Sequence, residues 1–138
     1  MRYIVPVLLF STLLMAQPGW RTIKDKTGSC QLSVPPNWIV SSTPGHVSSP
    51  DHMDTTVVTG LRAYRPFSEE TLKMLNIATV FENSAKRLFY VTKPAGNAVT
   101  YHVEVPGGAK SCVAQISARP SYSQDEAKKI ALTLSAAK

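Results

Sequence analysis

Residues 87–118 read RLFYVTKPAGNAVTYHVEVPGGAKSCVAQISA, which is three segments of strand-forming residues separated by two turn sequences. The turns are KPAGN at 93–97 and PGG at 106–108, whose proline and glycine residues interrupt extended structure. In the second and third segments apolar residues alternate with polar ones, as in strands that bury one face. Because turns this short join antiparallel neighbours, the stretch predicts an antiparallel sheet.

The segments that precede this stretch extend the sheet towards the N-terminus. Residues 29–34 alternate cleanly between apolar and polar positions, which indicates a half-buried strand. Further strands are predicted at 20–24 and 55–64, and an apolar segment resumes at 38–40 after Pro35 and Pro36. Residues 41–54 (SSTPGHVSSPDHMD) are rich in Ser, Pro, Gly and Asp and contain little to bury, so they predict a long loop.

Two helices complete the predicted fold. Ser68 is placed as the N-cap of a helix that runs to about Ala78, with acidic residues in its first turn. Ser123 and Glu126 form a capping box before a C-terminal amphipathic helix. An amphipathic helix must bury its apolar side, and the sheet is the surface able to receive it. The fold class predicted is therefore α+β, an antiparallel sheet with two helices packed on it.

Length and composition restrict the class of protein. The chain has 138 residues, of which 43% are hydrophobic and 17% charged, and its net charge is +6. These values exclude a disordered tail, a repeat array and a multi-pass membrane protein, because the apolar content is that of one globular domain.

The N-terminus predicts export. Arg2 is followed by an apolar run over residues 3–16, and Gln17 comes directly after the small residue Ala16. A positive start followed by a run of this length is typical of a secretory signal peptide, and the run is too short to span a bilayer as a helix. We therefore expect residues 1–16 to be removed, leaving a single α+β domain over 17–138 in a secreted or periplasmic protein without a transmembrane segment.

Two cysteines, Cys30 and Cys112, lie in this domain. In an oxidising compartment a pair with no thiol left over favours one structural disulfide. A redox pair is the alternative, but the sequence has no C-x-x-C and both residues lie in alternating strand segments.

Residues 32–38, LSVPPNW, resemble a motif of a known superfamily. The hydrophobic-x-V-P-x-x-W pattern is similar to the opening of PsbP-like domains, a superfamily of extracytoplasmic or accessory α+β proteins, and the closing strand and C-terminal helix extend the likeness. The resemblance implies an α/β/α sandwich around an antiparallel sheet and a role in binding or assembly without catalysis. The cysteine pair and the polar segment 41–54 depart from that pattern, so no binding residue is carried over.

One cluster in the predicted loop has metal-ligand chemistry. Imidazole and carboxylate groups suit zinc. The cluster consists of His46, Asp51, His52 and Asp54. Its spacing matches no established zinc pattern, so solvated loop residues are the alternative.

A catalytic reading rests on two acids that lie outside helix starts and loops. Glu82 and Glu104 could act as general bases in a small hydrolase, together with the loop histidines. The sequence has no G-x-S-x-G, no H-E-x-x-H and no Gly-rich phosphate loop. Surface ion pairs, such as one between Glu82 and neighbouring Lys86 or Arg87, are the alternative. His102 is expected to be an exposed strand residue.

Basic residues in the middle of the chain predict an anion-binding or partner-binding patch. These are Arg62, Arg65, Lys86 and Arg87, with Lys73 between them. Lipid head groups, cell-wall polymer or an acidic partner are the candidate ligands, and dispersed solvating charge is the alternative. Nucleic acid is not expected, because no aromatic stacking platform alternates with these charges.

The sequence as a whole therefore predicts an exported, non-catalytic domain that binds a partner protein or an envelope component. A small secreted hydrolase and a metal-binding protein acting through residues 46–54 remain the alternatives. No cofactor is predicted.

Overall fold

The computed structural model describes residues 19–50 and 54–137. In chain order the elements are β1 (Arg21–Lys24), β2 (Cys30–Val34), β3 (Ile39–Val40), β4 (His46–Ser48), β5 (Asp54–Thr59), α1 (Glu69–Met74), β6 (Ile77–Asn83), β7 (Leu88–Thr92), β8 (Val99–Val105), β9 (Cys112–Ala118), α2 (Gln124–Ala131) and β10 (Ser135–Ala136). The signal peptide predicted at 1–16 lies outside the described residues. Within the described ranges, no helix has the length and apolar character needed to cross a membrane.

The strands form two sheets. A small sheet has the order β1-β2-β10, and a large sheet has the order β3-β4-β5-β9-β8-β7-β6. The pairs β7–β8 and β8–β9 are antiparallel neighbours, as the turns within residues 87–118 predict. The large sheet continues from this meander to β6 on one side and to β5, β4 and β3 on the other.

One face of the large sheet, here called the inner face, carries the core. Strand β2 contacts β5 and β9, and helix α2 contacts β2, β8 and β9. The helix buries Ala127, Ile130 and Ala131 in this core. Alternate residues of β8 and β9 are buried on the same side, which is the period-two pattern of half-buried strands.

The predicted disulfide is confirmed. Cys30 of β2 and Cys112 of β9 are bonded, with their Cα atoms 5.5 Å apart. Each cysteine is 1% exposed. The bond therefore fastens the small sheet to the middle of the large one from within the core.

The predicted α+β class, an antiparallel sheet with two helices packed on it as an α/β/α sandwich, is wrong, because the fold is mostly β. Helix α1 has six residues and buries none of them, so α2 is the helix that packs in the core. The chain leaves helical conformation at Leu75, which has extended dihedrals of φ −92° and ψ 152°. The apolar residues assigned to a helix reaching Ala78 instead begin β6, because Ile77–Asn83 is rich in the branched and aromatic residues that strands favour.

The long loop predicted at 41–54 is also wrong. Strand β4 lies inside it and pairs with β5, which already begins at Asp54. Val47 is the single large apolar residue of β4, and it is fully buried. The turn before β4 uses Gly45 at φ +75°, where a side chain would also overlap the Val57 carbonyl. The polar composition of residues 41–54 did not indicate a strand, because β4 buries a single valine.

Candidate functional site on the outer face

The other side of the large sheet, here called the outer face, is lined by a row of side chains from six strands. Residues paired directly across antiparallel strands share a face, and the pairing register links one residue from each strand. From β4 to β6 the row is His46, Thr56, Gln115, His102, Tyr90 and Val80. Four of the six side chains are therefore polar, in contrast to the apolar inner face.

Residues 60–68, here called the crossover segment, pass over part of this face on the way from β5 to β6. The Tyr64 hydroxyl donates to the Ser84 carbonyl. The Asn83 side chain accepts a hydrogen bond from the Phe67 N–H at 3.0 Å and donates one to the Phe67 carbonyl at 2.9 Å. These contacts hold the far end of the crossover segment against β6 and the turn that follows it.

The near end of the crossover segment is held by Ser111, which directly precedes β9. Gly60 N–H donates to the Ser111 carbonyl at 2.7 Å, and Ser111 N–H donates to the Arg62 carbonyl at 2.9 Å. A side chain at Gly60 would overlap the Ser111 hydroxyl, so glycine permits this close approach. The backbone of Arg62 is thereby held next to Ser111, just before the first residue of β9.

A hollow of about 570 Å³ opens beside this junction, and we call it the Glu104 hollow. Arg62, Glu104 and Ser111 supply its polar groups. Leu61, 97% exposed, and Val58, 49% exposed, form part of its apolar lining. The hollow therefore combines a carboxylate, a cation and exposed aliphatic surface.

Glu104 is a sheltered carboxylate, with its side chain 13% exposed. Its interaction with His102, whose Nε2 lies 3.9 Å from Oε1, is the largest cause that lowers the pKa of this carboxyl. Burial raises the pKa, but a hydrogen bond with Ser111 and the charge of Arg62 add to the lowering. At 3.9 Å the His102 contact is an electrostatic one rather than a close hydrogen bond. Glu104 is consequently ionised at neutral pH.

His102 is held on three sides. Its ring stacks on Tyr90 with centroids 4.9 Å apart, and its Nδ1 lies 3.2 Å from Nε2 of Gln115. With the amide nitrogen of Gln115 facing Nδ1, a neutral ring carries its proton on Nε2, the atom that faces Glu104. The side chain is 14% exposed, so His102 is more buried than the exposed position expected from the sequence.

A second hollow, of about 290 Å³, is also lined by Arg62, and we call it the arginine hollow. Its lining is Arg62, Arg65, Pro66, Phe67, Ser68 and Thr71. No carboxylate of the described residues forms an ion pair with Arg62 or Arg65. Two arginines thus share one hollow, and within the described chain neither lies at ion-pair distance from a carboxylate.

The remaining members of the predicted basic patch lie apart from this hollow. Arg87 Nη1 donates to Glu82 Oε1 at 2.9 Å, so its guanidinium is engaged by a carboxylate. Lys86 and Lys73 are exposed and do not line the arginine hollow. The structure therefore brings together Arg62 and Arg65 from the predicted set.

The two candidate general bases, Glu82 and Glu104, lie in different surroundings. A hydrogen bond from the Ser84 hydroxyl, 2.7 Å from Glu82 Oε2, is the largest cause that lowers the pKa of Glu82, and Arg87 adds to it. The pKa of Glu104 is lowered as well. A general base works best with a pKa near the working pH, so these environments favour ion pairing over proton abstraction.

Part of the predicted metal cluster is described. His46 Nε2 lies 3.4 Å from Asp54 Oδ1, which also accepts a hydrogen bond from the Ser48 hydroxyl at 3.0 Å. Asp51 and His52 lie outside the described residues, so the four-residue site stays a prediction. In the part of the chain that the structure describes, no group of three or more His, Cys, Asp or Glu side chains is arranged to hold a metal ion.

Comparison with known proteins gives information on the fold and not on the function. No family model and no curated protein matches the sequence. Among solved structures, the crystal structure of a protein from Bacteroides thetaiotaomicron VPI-5482 at 1.50 Å resolution aligns with a TM-score of 0.57 and 14% identity over 87% of this chain. The alignment covers 49% of that chain, so this chain spans about half the length of the structure it matches. The PsbP-like resemblance stays a prediction.

Sequence reasoning missed the groups that organise the site. Ser111 was assigned to a strand, and Gln115 was one of its polar positions, whereas in the structure they contact Glu104 and His102 respectively. The alternation in residues 98–118 could have placed Gln115 and His102 on one face, since in each strand it separates the apolar residues of the buried side from the polar residues of the opposite side. It could not have shown that Gly60 and Arg62 dock on Ser111.

Proposed function

We propose that this protein is an exported, non-catalytic domain that binds phosphoryl groups of an anionic envelope component through Arg62 and Arg65. The observation that carries the proposal is the arginine hollow, where Arg62 and Arg65 line one space and neither lies at ion-pair distance from a carboxylate of the described residues. The proposal selects the envelope component from the alternatives that the sequence left open.

The chemistry of the hollow favours phosphoryl oxygens. Each guanidinium presents a planar fork of N–H donors, and phosphate offers enough acceptor oxygens to engage two forks at once. The hydroxyls of Ser68 and Thr71 line the same space and add polar groups. The net charge is +6 for the full chain and +5 without residues 1–16, which contain Arg2, and this positive charge attracts anions from a distance while salt screens the attraction.

Backbone contacts hold the crossover segment so that Arg62 and Arg65 both line the arginine hollow. The Arg62 carbonyl accepts a 2.9 Å hydrogen bond from Ser111 N–H. Arg65 lies between Tyr64 and Phe67, whose contacts with Ser84 and Asn83 fix the crossover segment on either side of it. Fixed backbone positions keep the two exposed arginine side chains near each other, so binding does not have to order the segment that carries them.

Export is supported by the disulfide and by the N-terminal sequence. A buried Cys30–Cys112 bond is typical of proteins from oxidising compartments. Expression in a secreting host should yield an intact mass that lacks residues 1–16 and rises by two hydrogen masses on reduction. Recovery of the full-length, reduced chain from the cytosol would contradict export and leave the anion-binding test unaffected.

Binding is tested with the oxidised chain from residue 17 onward, which contains every described residue. The protein is sedimented with vesicles of phosphatidylglycerol or of phosphatidylcholine, and inorganic phosphate is titrated separately to distinguish a lipid surface from free phosphate. The variant R62Q/R65Q is compared with K24Q/K26Q, which removes the same charge from exposed lysines around the β1–β2 turn.

We expect R62Q/R65Q to lose at least about tenfold in affinity for phosphatidylglycerol vesicles, against a loss of about twofold or less for K24Q/K26Q. Two charged contacts of typical strength account for the larger loss. Equal losses in both variants would show that net charge alone drives binding. Absence of binding to vesicles and to phosphate would contradict the proposed function outright.

A further inference from the structure

The arginine hollow and the Glu104 hollow adjoin, because Arg62 lines both of them. Arg62 lines one hollow together with Arg65 and the other together with Glu104. The ordinary outcome for an arginine and a carboxylate in one hollow is a salt bridge. Here no contact between Arg62 and Glu104 reaches ion-pair distance.

Glu104 has acceptor capacity to spare. An ionised carboxylate has about four lone-pair positions on two oxygens. His102 approaches one oxygen at 3.9 Å, and the Ser111 hydroxyl is a second donor. A sheltered carboxylate of this kind gains from a further close cation, since few water molecules compete for it.

The lining between the charges is aliphatic. Val58 and Leu61 are exposed, and Val113 continues the apolar surface beside Glu104. Methylene groups of a ligand would be removed from water against these side chains, with a favourable free energy of about 25 cal/mol for each Å² of apolar surface buried.

From this arrangement we propose that the two hollows form one bipartite site for a phosphate monoester or diester that also carries a primary ammonium group. Arg62 and Arg65 hold the phosphoryl oxygens, the ammonium group donates to Glu104, and the linking methylenes lie against Val58 and Leu61. A phosphoethanolamine group is the simplest ligand of this class. The inference rests on the proposed function, because it takes the same arginines as the phosphoryl site.

The experiment compares two ligands that differ in one group. O-Phosphoethanolamine and n-propyl phosphate share the phosphate and the chain length, and the second replaces the ammonium with a methyl group. Calorimetric or NMR titration of both ligands gives an affinity ratio for each protein. Net charge alone would favour propyl phosphate, since the protein is basic, so a preference for phosphoethanolamine reports a local carboxylate.

We expect the unmodified protein to bind phosphoethanolamine about fivefold to tenfold more tightly than propyl phosphate. E104Q should bring the ratio to one or below, because without the carboxylate the basic protein no longer favours the ligand that carries an ammonium group. V58K, a change at a 49% exposed position that does not disturb the core, should also abolish the preference by placing its own ammonium beside Glu104. D125N removes one exposed negative charge from α2 and should leave the ratio unchanged.

The outcomes separate the two proposals. Binding of both ligands with no preference overturns the bipartite site and leaves the phosphoryl site standing. A preference that survives in both E104Q and V58K places the ammonium elsewhere and likewise overturns it. Failure of both ligands to bind overturns the proposed function together with this inference.

Discussion

The Thr59 hydroxyl donates a 2.6 Å hydrogen bond to Asp25 Oδ2, joining the end of β5 to the turn between β1 and β2 across 34 residues of sequence. The same carboxylate oxygen accepts a hydrogen bond from the Thr27 hydroxyl at 2.8 Å, and Oδ1 accepts one from Cys30 N–H at 3.0 Å. Asp25 is 6% exposed. A buried carboxylate thus connects the two sheets next to the disulfide.

Asp25 should make stability fall in acid. Burial raises the pKa of this carboxyl, but the hydrogen bonds from Thr59, Thr27 and Cys30 together outweigh it and lower the pKa from 3.8 to about 2. A lowered folded-state pKa contributes stability above the unfolded-state value, and that contribution is lost as pH falls from about 3.8 towards 2. The contribution at neutral pH is about 2 kcal/mol.

Urea unfolding of the wild type and of D25N at several pH values between 7 and 2 tests this. D25N should be less stable at pH 7, and the difference in free energy of unfolding should shrink as the pH approaches 2. D125N, an exposed aspartate, serves as the control. A D25N difference that stays constant over this range would show that Asp25 is not the titrating group.

Removal of the disulfide should cost about 4–5 kcal/mol. The bond closes a loop with a sequence separation of 82, and the chain-entropy cost of an open loop of that length gives this value. The measurement is the free energy of unfolding of C30A/C112A against the oxidised wild type. A loss below about 1 kcal/mol would mean that the unfolded chain remains compact without the crosslink.

Replacing a large side chain by alanine should affect the free energy of unfolding differently in the two helices. Ile130 of α2 is fully buried, so I130A should lower the free energy of unfolding by about 2–5 kcal/mol through lost burial and a cavity. Met74 of α1 is 85% exposed, so M74A should change it by less than about 0.5 kcal/mol. Comparable losses in the two variants would mean that α1 packs after all.

Gly60 and Ser111 should be energetically coupled. A Cβ at Gly60 would overlap the Ser111 hydroxyl, so G60A should destabilise the protein by about 1–3 kcal/mol. In an S111A background the hydroxyl is absent and the same substitution should cost less than half as much. Equal costs in both backgrounds, measured by a double-mutant cycle, would show that the strain lies elsewhere.

Local patterns predicted the elements whose neighbours are close in sequence. The meander β7–β8–β9 follows from alternation and short turns, and the Cys30–Cys112 bond follows from a count of two cysteines. The apolar run from Ile77 to Phe81 fits both a helix and a strand, and pairing with β7 decides between them. Local patterns contain no information on that partner.

The candidate site was predictable only in part, for a similar reason. Arg62 and Arg65 are close in sequence, so one segment carries both into the arginine hollow. Arg87 was grouped with them, but the β6–β7 hairpin brings it to Glu82 instead. The contact between Glu104 and Ser111 depends on where the chain turns after β8, which no spacing rule specifies.

The small sheet pairs β2 with β10, two strands that are about 100 residues apart in the sequence. Ser33 N–H donates to the Thr133 hydroxyl at 2.8 Å across 100 residues, and Ala137 N–H donates to the Ser29 carbonyl at 2.8 Å. During synthesis from the amino end, β2 therefore gains its second neighbour only once residues 133–137 have been made. A chain truncated before Ser135 would leave one edge of β2 without its β10 partner, so the closure of the small sheet depends on residues about 100 positions apart.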